Sequence, residues 1–266
     1  MNLKGRTVVI TGAAGGIASA LARRCRAEGA TVAVTDRDES VLTRLSEELG
    51  DGNLAVAADV TDEGQMRDLF ARVRETLGPI DVFCANAGVA RGGALDSPDE
   101  AWDLALAVNV RAHIIAARTL VPGWLERGEG YFVAMASAAG LLTQIGSAPY
   151  AVSKHAAVAF AEWLSITYGD RGIRVSCVCP MGVRTQMLDG GGEGGLESLA
   201  RQAVRGAGAV IEPDDVARAV CDAIGEDRFL VLPHPEVLTF FQRKASDYER
   251  WLAGMRRLQR ETEEGS

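Results

Sequence analysis

Short runs of apolar and β-branched residues alternate along this chain with longer segments that have helical spacing. Ile17, Leu21 and Cys25 fall on one side of the first such segment, and similar patterns follow at residues 41–49 and 66–73. Strands that are apolar on both faces and alternate with helices are typical of a parallel sheet that is covered on both sides. The pattern therefore predicts a single doubly wound α/β domain. The predicted strands are residues 7–11, 31–35, 54–58, 80–85, 131–136, 173–179 and 229–232.

The last 34 residues have a different pattern, that of an amphipathic helix. Apolar residues recur there every three or four positions, with charged residues between them. We expect residues 1–232 to form the domain and residues 233–266 to form a helical extension that covers other apolar surface. It either packs on its own subunit or crosses to a neighbour, and we favour the second arrangement. Its apolar residues are Val237, Phe241, Ala245, Tyr248, Leu252, Met255 and Leu258.

Composition and charge exclude several classes of protein. The chain has 266 residues, of which 47% are hydrophobic and 24% charged, as in a globular protein. Its net charge of −8 argues against a general nucleic-acid binder. Five cysteines, an odd number set mostly in apolar runs, favour a reducing compartment, and the three histidines share no metal-ligand spacing. No apolar run approaches about 18 residues, so we expect a cytoplasmic protein with no membrane attachment and no metal.

A glycine-rich turn follows the first predicted strand, with the sequence Thr11-Gly12-Ala13-Ala14-Gly15-Gly16-Ile17-Ala18. Glycines at a strand-to-helix turn let backbone N–H groups approach a pyrophosphate, although a purely structural turn is the alternative. Asp36 ends the second strand, twenty residues after Gly16, where its carboxylate can bind an adenosine ribose or cap a helix. Asp59 ends the third strand and either contacts the adenine or caps a helix that starts near Thr61.

Four further motifs follow in order along the chain. Asn86-Ala87-Gly88 comes after the fourth strand, Asn109 lies in the next helical region, and Ser137 ends the fifth strand. Tyr150 follows thirteen residues later and Lys154 four residues after that. Together with the glycine turn, these motifs resemble those of the short-chain dehydrogenase/reductase family over residues 3–232. The resemblance implies one Rossmann-type α/β domain with a mostly parallel seven-stranded sheet, to which the C-terminal helix is added.

Two positions depart from the family pattern. Ala18 stands where the turn usually has a third glycine, and we expect little loss because alanine is tolerated there. The family's Pro-Gly after the sixth strand reads Pro180-Met181-Gly182 here. Methionine adopts positive φ less readily than glycine, so this loop is expected to follow a different path, and Met181 to fill part of the substrate pocket.

The resemblance implies a catalytic group of four residues. Tyr150 acts as general acid or base, and Lys154, one helical turn away, lowers the pKa of its phenol and holds the nicotinamide ribose. Ser137 binds the reacting oxygen, and Asn109 anchors a water that relays protons to Lys154. The implied dinucleotide-binding residues are Gly12, Ala14, Gly15, Gly16, Ile17, Asp36, Arg37, Asp59, Val60, Asn86, Ala87, Gly88, Tyr150, Lys154, Pro180, Gly182, Val183 and Thr185.

These residues predict an NAD-dependent oxidoreductase that interconverts a secondary alcohol and a ketone. Asp36 favours NAD because its charge repels a 2′-phosphate, whereas Arg37 is the argument for NADP. The alternatives are an NADP-dependent carbonyl reductase and a non-catalytic dinucleotide sensor or scaffold. The resemblance also implies a homodimer or homotetramer, formed through the helices that bear Asn109 and Tyr150.

The substrate side of the site is expected to be mostly apolar, which favours an apolar alcohol or ketone. The residues expected to face the substrate are Ala138, Leu141, Leu142, Gln144, Met181 and Met187. Arg91 either receives an anionic group or is solvated. Residues 189–208 are rich in glycine and are predicted to form a mobile flap, with a lid helix that contains Leu196, Leu199, Ala200 and Ala203; a passive linker is the alternative.

Overall fold

The computed structural model describes residues 1–190 and 198–264. Its seven strands form one sheet in the order β3-β2-β1-β4-β5-β6-β7, and every neighbouring pair is parallel. The predicted α/β fold is confirmed, and the sheet is wholly parallel. The strands are β1 Thr7–Thr11, β2 Thr31–Asp36, β3 Leu54–Ala57, β4 Val82–Ala85, β5 Gly130–Met135, β6 Ile173–Val178 and β7 Leu230–Val231.

Helices cover both faces of this sheet, as the doubly apolar strands require. The helices are α1 Gly16–Ala27, α2 Glu39–Leu49, α3 Glu63–Leu77, α4 Asp99–Leu106, α5 Ala112–Arg127, α6 Ala139–Leu142, α7 Ala148–Tyr168, α8 Gln186–Asp189, α9 Ser198–Ala207, α10 Pro213–Glu226, α11 Glu236–Ser246 and α12 Tyr248–Glu264. Apolar residues of α1, α2 and α10 pack on one face, and those of α3, α5 and α7 pack on the other. A π-helical turn, Ala107–Arg111, joins α4 to α5.

The strand order reverses between β1 and β4, where the crevice of an open α/β sheet lies. The Oγ1 atom of Thr11, at the end of β1, accepts hydrogen bonds of 3.0 Å from the backbone N–H groups of Asn86 and Ala87. Gly12 has φ of +74°, and a Cβ there would lie 2.7 Å from the Cα of Ala87. The glycine turn and the Asn86-Ala87-Gly88 motif therefore meet at the floor of this crevice.

The loop after β6 avoids the conformation that methionine disfavours. Met181 is not among the described non-glycine residues with positive φ, which are Thr143 and Asp227. The ring of His234 instead holds the loop. Its Nδ1 accepts a 3.1 Å bond from the Met181 N–H, so its Nε2 carries the proton and donates to the Gly182 carbonyl at 3.0 Å.

The C-terminal extension is helical, but Asp247 divides it into α11 and α12. The Asp247 carboxylate accepts a 2.9 Å bond from the backbone N–H of Arg250, and so caps a new helix rather than continuing the first. Val237 and Lys244 of α11 are buried. Since α11 contacts α6 and α12 contacts α9, the extension packs on its own chain. The boundary at residue 232 and a role for the extension between subunits stay predictions.

The predicted lid helix corresponds to α9, in which Ala200 and Ala203 are buried. Leu196 and most of the glycine run lie outside the described residues, so lid closure stays a prediction.

Over the described part of the chain, the helical stretch Asp99–Arg127 is long and apolar enough to cross a membrane. Of its most apolar window, 56% is buried inside the fold, as in the core helix of a soluble protein.

Candidate active site

A cleft of about 560 Å³ lies at the carboxyl ends of the strands. Every residue predicted for the catalytic group or the dinucleotide site lines it, except Asn109 and Gly182. Leu104, Val108, Gln186, Leu188 and Val204 line it as well. Sequence reasoning missed these five, because they come from α4, the π-helical turn, α8 and α9, which carry no motif.

The glycine turn leaves backbone donors free at one end of the cleft. Helix α1 begins at Gly16. Its N-cap residue is Gly15, which has no side chain to accept a hydrogen bond from the first N–H groups of the helix. The first N–H groups of a helix have no partner within the helix, and the helix dipole favours an anion beside them. A Cβ on Gly16 would lie 3.3 Å from the Cγ of Pro213, so a larger residue would crowd this corner. The turn therefore fits a pyrophosphate.

The carboxylate of Asp36 is fixed beside this turn. Its Oδ2 accepts a 2.9 Å bond from the Ala14 N–H, and its Oδ1 accepts bonds of 2.7 Å from the Arg37 N–H and 3.2 Å from the Asp38 N–H. The N-cap of α2 is Asp38, which accepts from the backbone of Ser40 and Val41. The alternative of a helix-capping Asp36 is therefore wrong, and its carboxylate lines the cleft.

Asp59 does not cap a helix either, because Asp62 caps α3. The Oδ1 atom of Asp59 accepts bonds from the backbone and the hydroxyl of Thr61 at 2.9 and 2.7 Å. Its Oδ2 lies 3.7 Å from the Nη1 of Arg37, whose side chain is largely exposed. This pair forms the outer wall of the cleft on the side of Asp36.

Asn109 lies behind the cleft wall, fully buried in the π-helical turn. Its Oδ1 accepts from the Val89 N–H, and its Nδ2 donates to the Val89 carbonyl and to the Ser153 hydroxyl, each at 2.9 Å. Both amide hydrogens are thus used within the protein. In this structure the side chain fixes the loop that carries Gly88; the water relay stays a prediction.

Tyr150 and Lys154 lie one turn apart on α7, as their spacing requires. The Lys154 Nζ donates a 2.8 Å bond to the Met135 carbonyl and lies 5.7 Å from the centre of the Tyr150 ring. Burial lowers the pKa of Lys154 to about 8. Nearby, the Ser137 hydroxyl accepts a 3.1 Å bond from the Ala139 N–H.

The predicted lowering of the tyrosine pKa is not what the structure shows. Burial raises the pKa of the Tyr150 phenol above its ordinary value, and the hydrogen bond with Ser137 lowers it by less. Removing a phenol from water disfavours its charged form. Sequence spacing reveals that Lys154 is close but does not reveal the burial of the phenol, which is the largest cause of the shift.

The substrate end of the cleft is apolar but only partly as predicted. Met181 and Met187 line it. Leu141 and Leu142 belong instead to the core cluster on the α7 side of the sheet, and Gln144 donates to the Ile145 carbonyl. Gly182 lies beneath α9, where a Cβ would lie 3.2 Å from the Val204 Cγ1.

Among residues 1–190 and 198–264, no group of three or more potential metal ligands is found.

The chain is similar to known proteins in both sequence and fold. The sequence profile described as short chain dehydrogenase matches residues 6–193. The chain is 38% identical over 249 residues to 1-deoxy-11-beta-hydroxypentalenate dehydrogenase of Streptomyces exfoliatus, covering 89% of this chain and 86% of that protein.

Two solved structures are similar in fold. A short chain dehydrogenase/reductase from Burkholderia phymatum in complex with NAD has a TM-score of 0.84 and 29% identity, with 94% and 96% of the two chains covered. The 3-ketoacyl-(acyl-carrier-protein) reductase from Brucella melitensis complexed with NADH has a TM-score of 0.78 and 27% identity, with 87% and 98% covered. The chain therefore belongs to the short-chain dehydrogenase family. It is an oxidoreductase with a Rossmann-type fold that acts on CH–OH groups.

Proposed function

We propose that this protein is an NAD-dependent dehydrogenase that interconverts a secondary alcohol and a ketone, with Tyr150 as the general acid and base. The observation that carries the proposal is the placement of Ser137 and Lys154 around the Tyr150 phenol, in the same cleft as the glycine turn. The structures similar to this one contain NAD or NADH, which supports the cofactor class.

The residues of the cleft fit a nicotinamide dinucleotide. The uncapped start of α1 would hold the phosphates, Asp36 the adenosine ribose, and Lys154 the nicotinamide ribose. Val183 and Thr185 line the cleft next to Met181 and would contact the nicotinamide. When bound, the nicotinamide supplies the hydride acceptor or donor.

Tyr150 would move the proton. Because burial raises the pKa of its phenol, the hydroxyl is protonated at neutral pH and ready to donate to a carbonyl oxygen. Oxidation of an alcohol needs the opposite transfer, from the substrate hydroxyl to tyrosinate, so it requires a higher pH. The Ser137 hydroxyl would bond the reacting oxygen and orient it toward Tyr150. When Tyr150 has given its proton to the carbonyl oxygen, Lys154 would stabilise the resulting tyrosinate, because at neutral pH a lysine with a pKa of about 8 keeps its own proton.

Asp36 supports NAD as the cofactor. Three backbone N–H groups fix its carboxylate, so it cannot turn away from a 2′-phosphate without losing these bonds. The Arg37 Nη1 lies 3.7 Å from the Asp59 Oδ2. This ion pair partly neutralises the cation that would otherwise bind the 2′-phosphate. A 2′-phosphate beside the Asp36 carboxylate would be a like-charge contact, which costs several kcal/mol.

The walls near Tyr150 support an apolar, small-molecule substrate. Leu188 and Val204 pack in one cluster with Tyr150, Met187 packs against that cluster, and Leu104 and Met181 also line the cleft. The Streptomyces relative is named as a dehydrogenase of 1-deoxy-11-beta-hydroxypentalenate, which agrees with a secondary alcohol as the reacting group.

A homodimer or homotetramer in the cytoplasm is part of the proposal. Val152, Trp163 and Ile166 form an exposed apolar stripe along α7, the helix that bears Tyr150. Large apolar side chains grouped in this way mark interaction surfaces. The net charge and the buried cysteines agree with a soluble protein in a reducing compartment.

The test is turnover of NAD and NADP with a panel of secondary alcohols and ketones, with Tyr150→Phe as the control. The proposal expects NAD-linked turnover that the substitution removes. Turnover with NADP but not with NAD would favour the alternative, an NADP-dependent carbonyl reductase. Tight dinucleotide binding with no turnover of any panel member would contradict the proposed reaction.

A further inference from the structure

Lys244 of α11 is a buried cation in the C-terminal extension, and the proposed mechanism does not use it. Its side chain is only 7% exposed, and its Nζ donates a 2.6 Å hydrogen bond to the backbone carbonyl of Leu141. The same Nζ lies 5.5 Å from the centre of the Tyr248 ring, at the start of α12. In the described part of the chain, no carboxylate lies within 4.0 Å of it. A buried ammonium group is costly unless its hydrogen bonds are made, so the bond to Leu141 strongly favours this docked position.

Leu141 belongs to α6, the short helix that begins two residues after Ser137. Ser137 accepts a bond from the first residue of α6, Ala139, and the Ala138 N–H donates to the Pro180 carbonyl at 2.8 Å. The segment from Ser137 to Leu142 therefore joins the proposed substrate-binding hydroxyl to the loop after β6. Lys244 holds this segment from the outside.

The residue after α6 has a strained backbone. Thr143 has φ of +81° and ψ of 159°, a region that is essentially restricted to glycine. A non-glycine residue stays there only when its surroundings impose the conformation. On one side of Thr143, Lys244 holds Leu141; on the other, Gln144 donates to the Ala200 carbonyl of α9 at 3.4 Å.

We propose that Lys244 is a positioning residue for the active site: by binding the Leu141 carbonyl it keeps the strained turn between Ser137 and Tyr150 in the conformation that places the Ser137 hydroxyl beside the Tyr150 phenol. The C-terminal extension then supports the active site from outside the cleft. His234, at the other end of the same segment, holds the Met181–Gly182 loop, so one stretch of chain fixes both loops that flank the substrate end.

The first experiment does not require a substrate. Hydrogen exchange of residues 138–147 is measured in the full chain for the wild type, Lys244→Met and Arg243→Met. Arg243 is the matched control, because it is a neighbouring exposed cation on the same helix. The proposal expects exchange of this segment to rise about tenfold in Lys244→Met and to stay unchanged in Arg243→Met. Unchanged exchange in Lys244→Met would overturn the proposal.

A second substitution tests the strain directly. Glycine adopts the Thr143 conformation without strain, so Thr143→Gly in the Lys244→Met background is expected to restore much of the lost protection. Protection that stays at the level of Lys244→Met alone would show that Thr143 is not the strained element held by Lys244. Should Lys244→Met fail to fold, Lys244→Gln, which keeps an N–H donor but loses the charge, is measured in its place.

The kinetic part of this inference rests on the proposed function. With the alcohol that the enzyme oxidises, Lys244→Met is expected to raise KM about tenfold while the NADH dissociation constant changes less than about twofold, because the phosphate turn is remote. An unchanged KM would overturn the link between Lys244 and the placement of Ser137. If no alcohol is turned over by the wild type, the proposed function fails, and the exchange experiment still decides the role of Lys244.

Discussion

The Oδ2 atom of Asp36 accepts a 2.9 Å hydrogen bond from the backbone N–H of Ala14. The carboxylate that we propose to select the cofactor is therefore attached to the turn that we propose to bind its phosphates. These two residues are 22 positions apart along the chain and meet because β1 and β2 are parallel neighbours.

Asp36→Ser should shift the cofactor preference toward NADP. The substitution removes the charge that repels a 2′-phosphate and leaves Arg37 in place to attract it. We expect the ratio of kcat/KM for NADP to that for NAD to rise about tenfold or more. Asp38→Ser, which removes an equal charge from the N-cap of α2, is the control and should leave the ratio nearly unchanged. An unaltered ratio in Asp36→Ser would contradict the assignment.

Tyr150→Phe should abolish most of the turnover and spare dinucleotide binding. The substitution removes the proposed proton carrier but keeps the ring, so kcat should fall about 100-fold to 10,000-fold. Binding of NADH, measured by fluorescence titration, should change less than about twofold. Tyr168→Phe, at the far end of α7, is the matched control. Near-normal rates for Tyr150→Phe would refute the mechanism.

The two directions of the reaction should depend on pH in opposite ways. The pKa of Tyr150 is raised by burial, so alcohol oxidation, which needs tyrosinate, should become faster as the pH rises. The pKa of Lys154 in the protein is lowered to about 8, so its charge is present below that pH and lost above it. We expect kcat/KM for ketone reduction to decline above pH 8, because Lys154 then loses the charge that stabilises tyrosinate. This parameter follows the ionisation of the enzyme before it binds the ketone. A reduction rate independent of pH from 7 to about 9.5 would argue against this role of Lys154.

His113 should make the protein less stable in acid. Its ring is buried without a hydrogen-bond partner for either nitrogen, and burial lowers its pKa from 6.5 to about 3. Below pH 6.5 the unfolded chain binds a proton that the folded chain does not, so the free energy of unfolding falls by about 1.4 kcal/mol per pH unit from this group. Urea unfolding should therefore show His113→Leu losing about 2 kcal/mol less than the wild type between pH 6.5 and 5. Equal losses would contradict the burial of a neutral ring.

Ile166→Glu should weaken the proposed assembly without unfolding the subunit. Ile166 is 84% exposed on the apolar stripe of α7, so a charge costs little in a monomer but is buried in an interface. We expect a smaller mass by light scattering and a melting transition that is still cooperative, as for a folded subunit. Thr167→Glu, the next exposed residue, should keep the wild-type mass. If Ile166→Glu also keeps it, the stripe is not the interface.

Much of the fold follows from local patterns along the chain. Runs such as Thr7–Thr11 are apolar on both faces, which only a doubly covered parallel sheet satisfies. The glycine turn and the spacing of Tyr150 and Lys154 are also local, and a helix brings residues four apart to one face wherever it lies. The sequence alone therefore determined the fold class and the motif residues that line the cleft, but not the lining residues of α4, α8 and α9.

Only the tertiary structure decided how these groups are held and charged. Lys244 binds the carbonyl of a residue 103 positions away, and Tyr131, Asn109 and His234 likewise find partners more than 40 positions distant. No periodicity encodes such pairs, because they depend on how the helices pack after the strands have assembled. Burial also depends on the whole fold, because every packed element removes water from around a side chain. It raises the pKa of Tyr150, whereas the spacing to Lys154 had predicted a lower pKa.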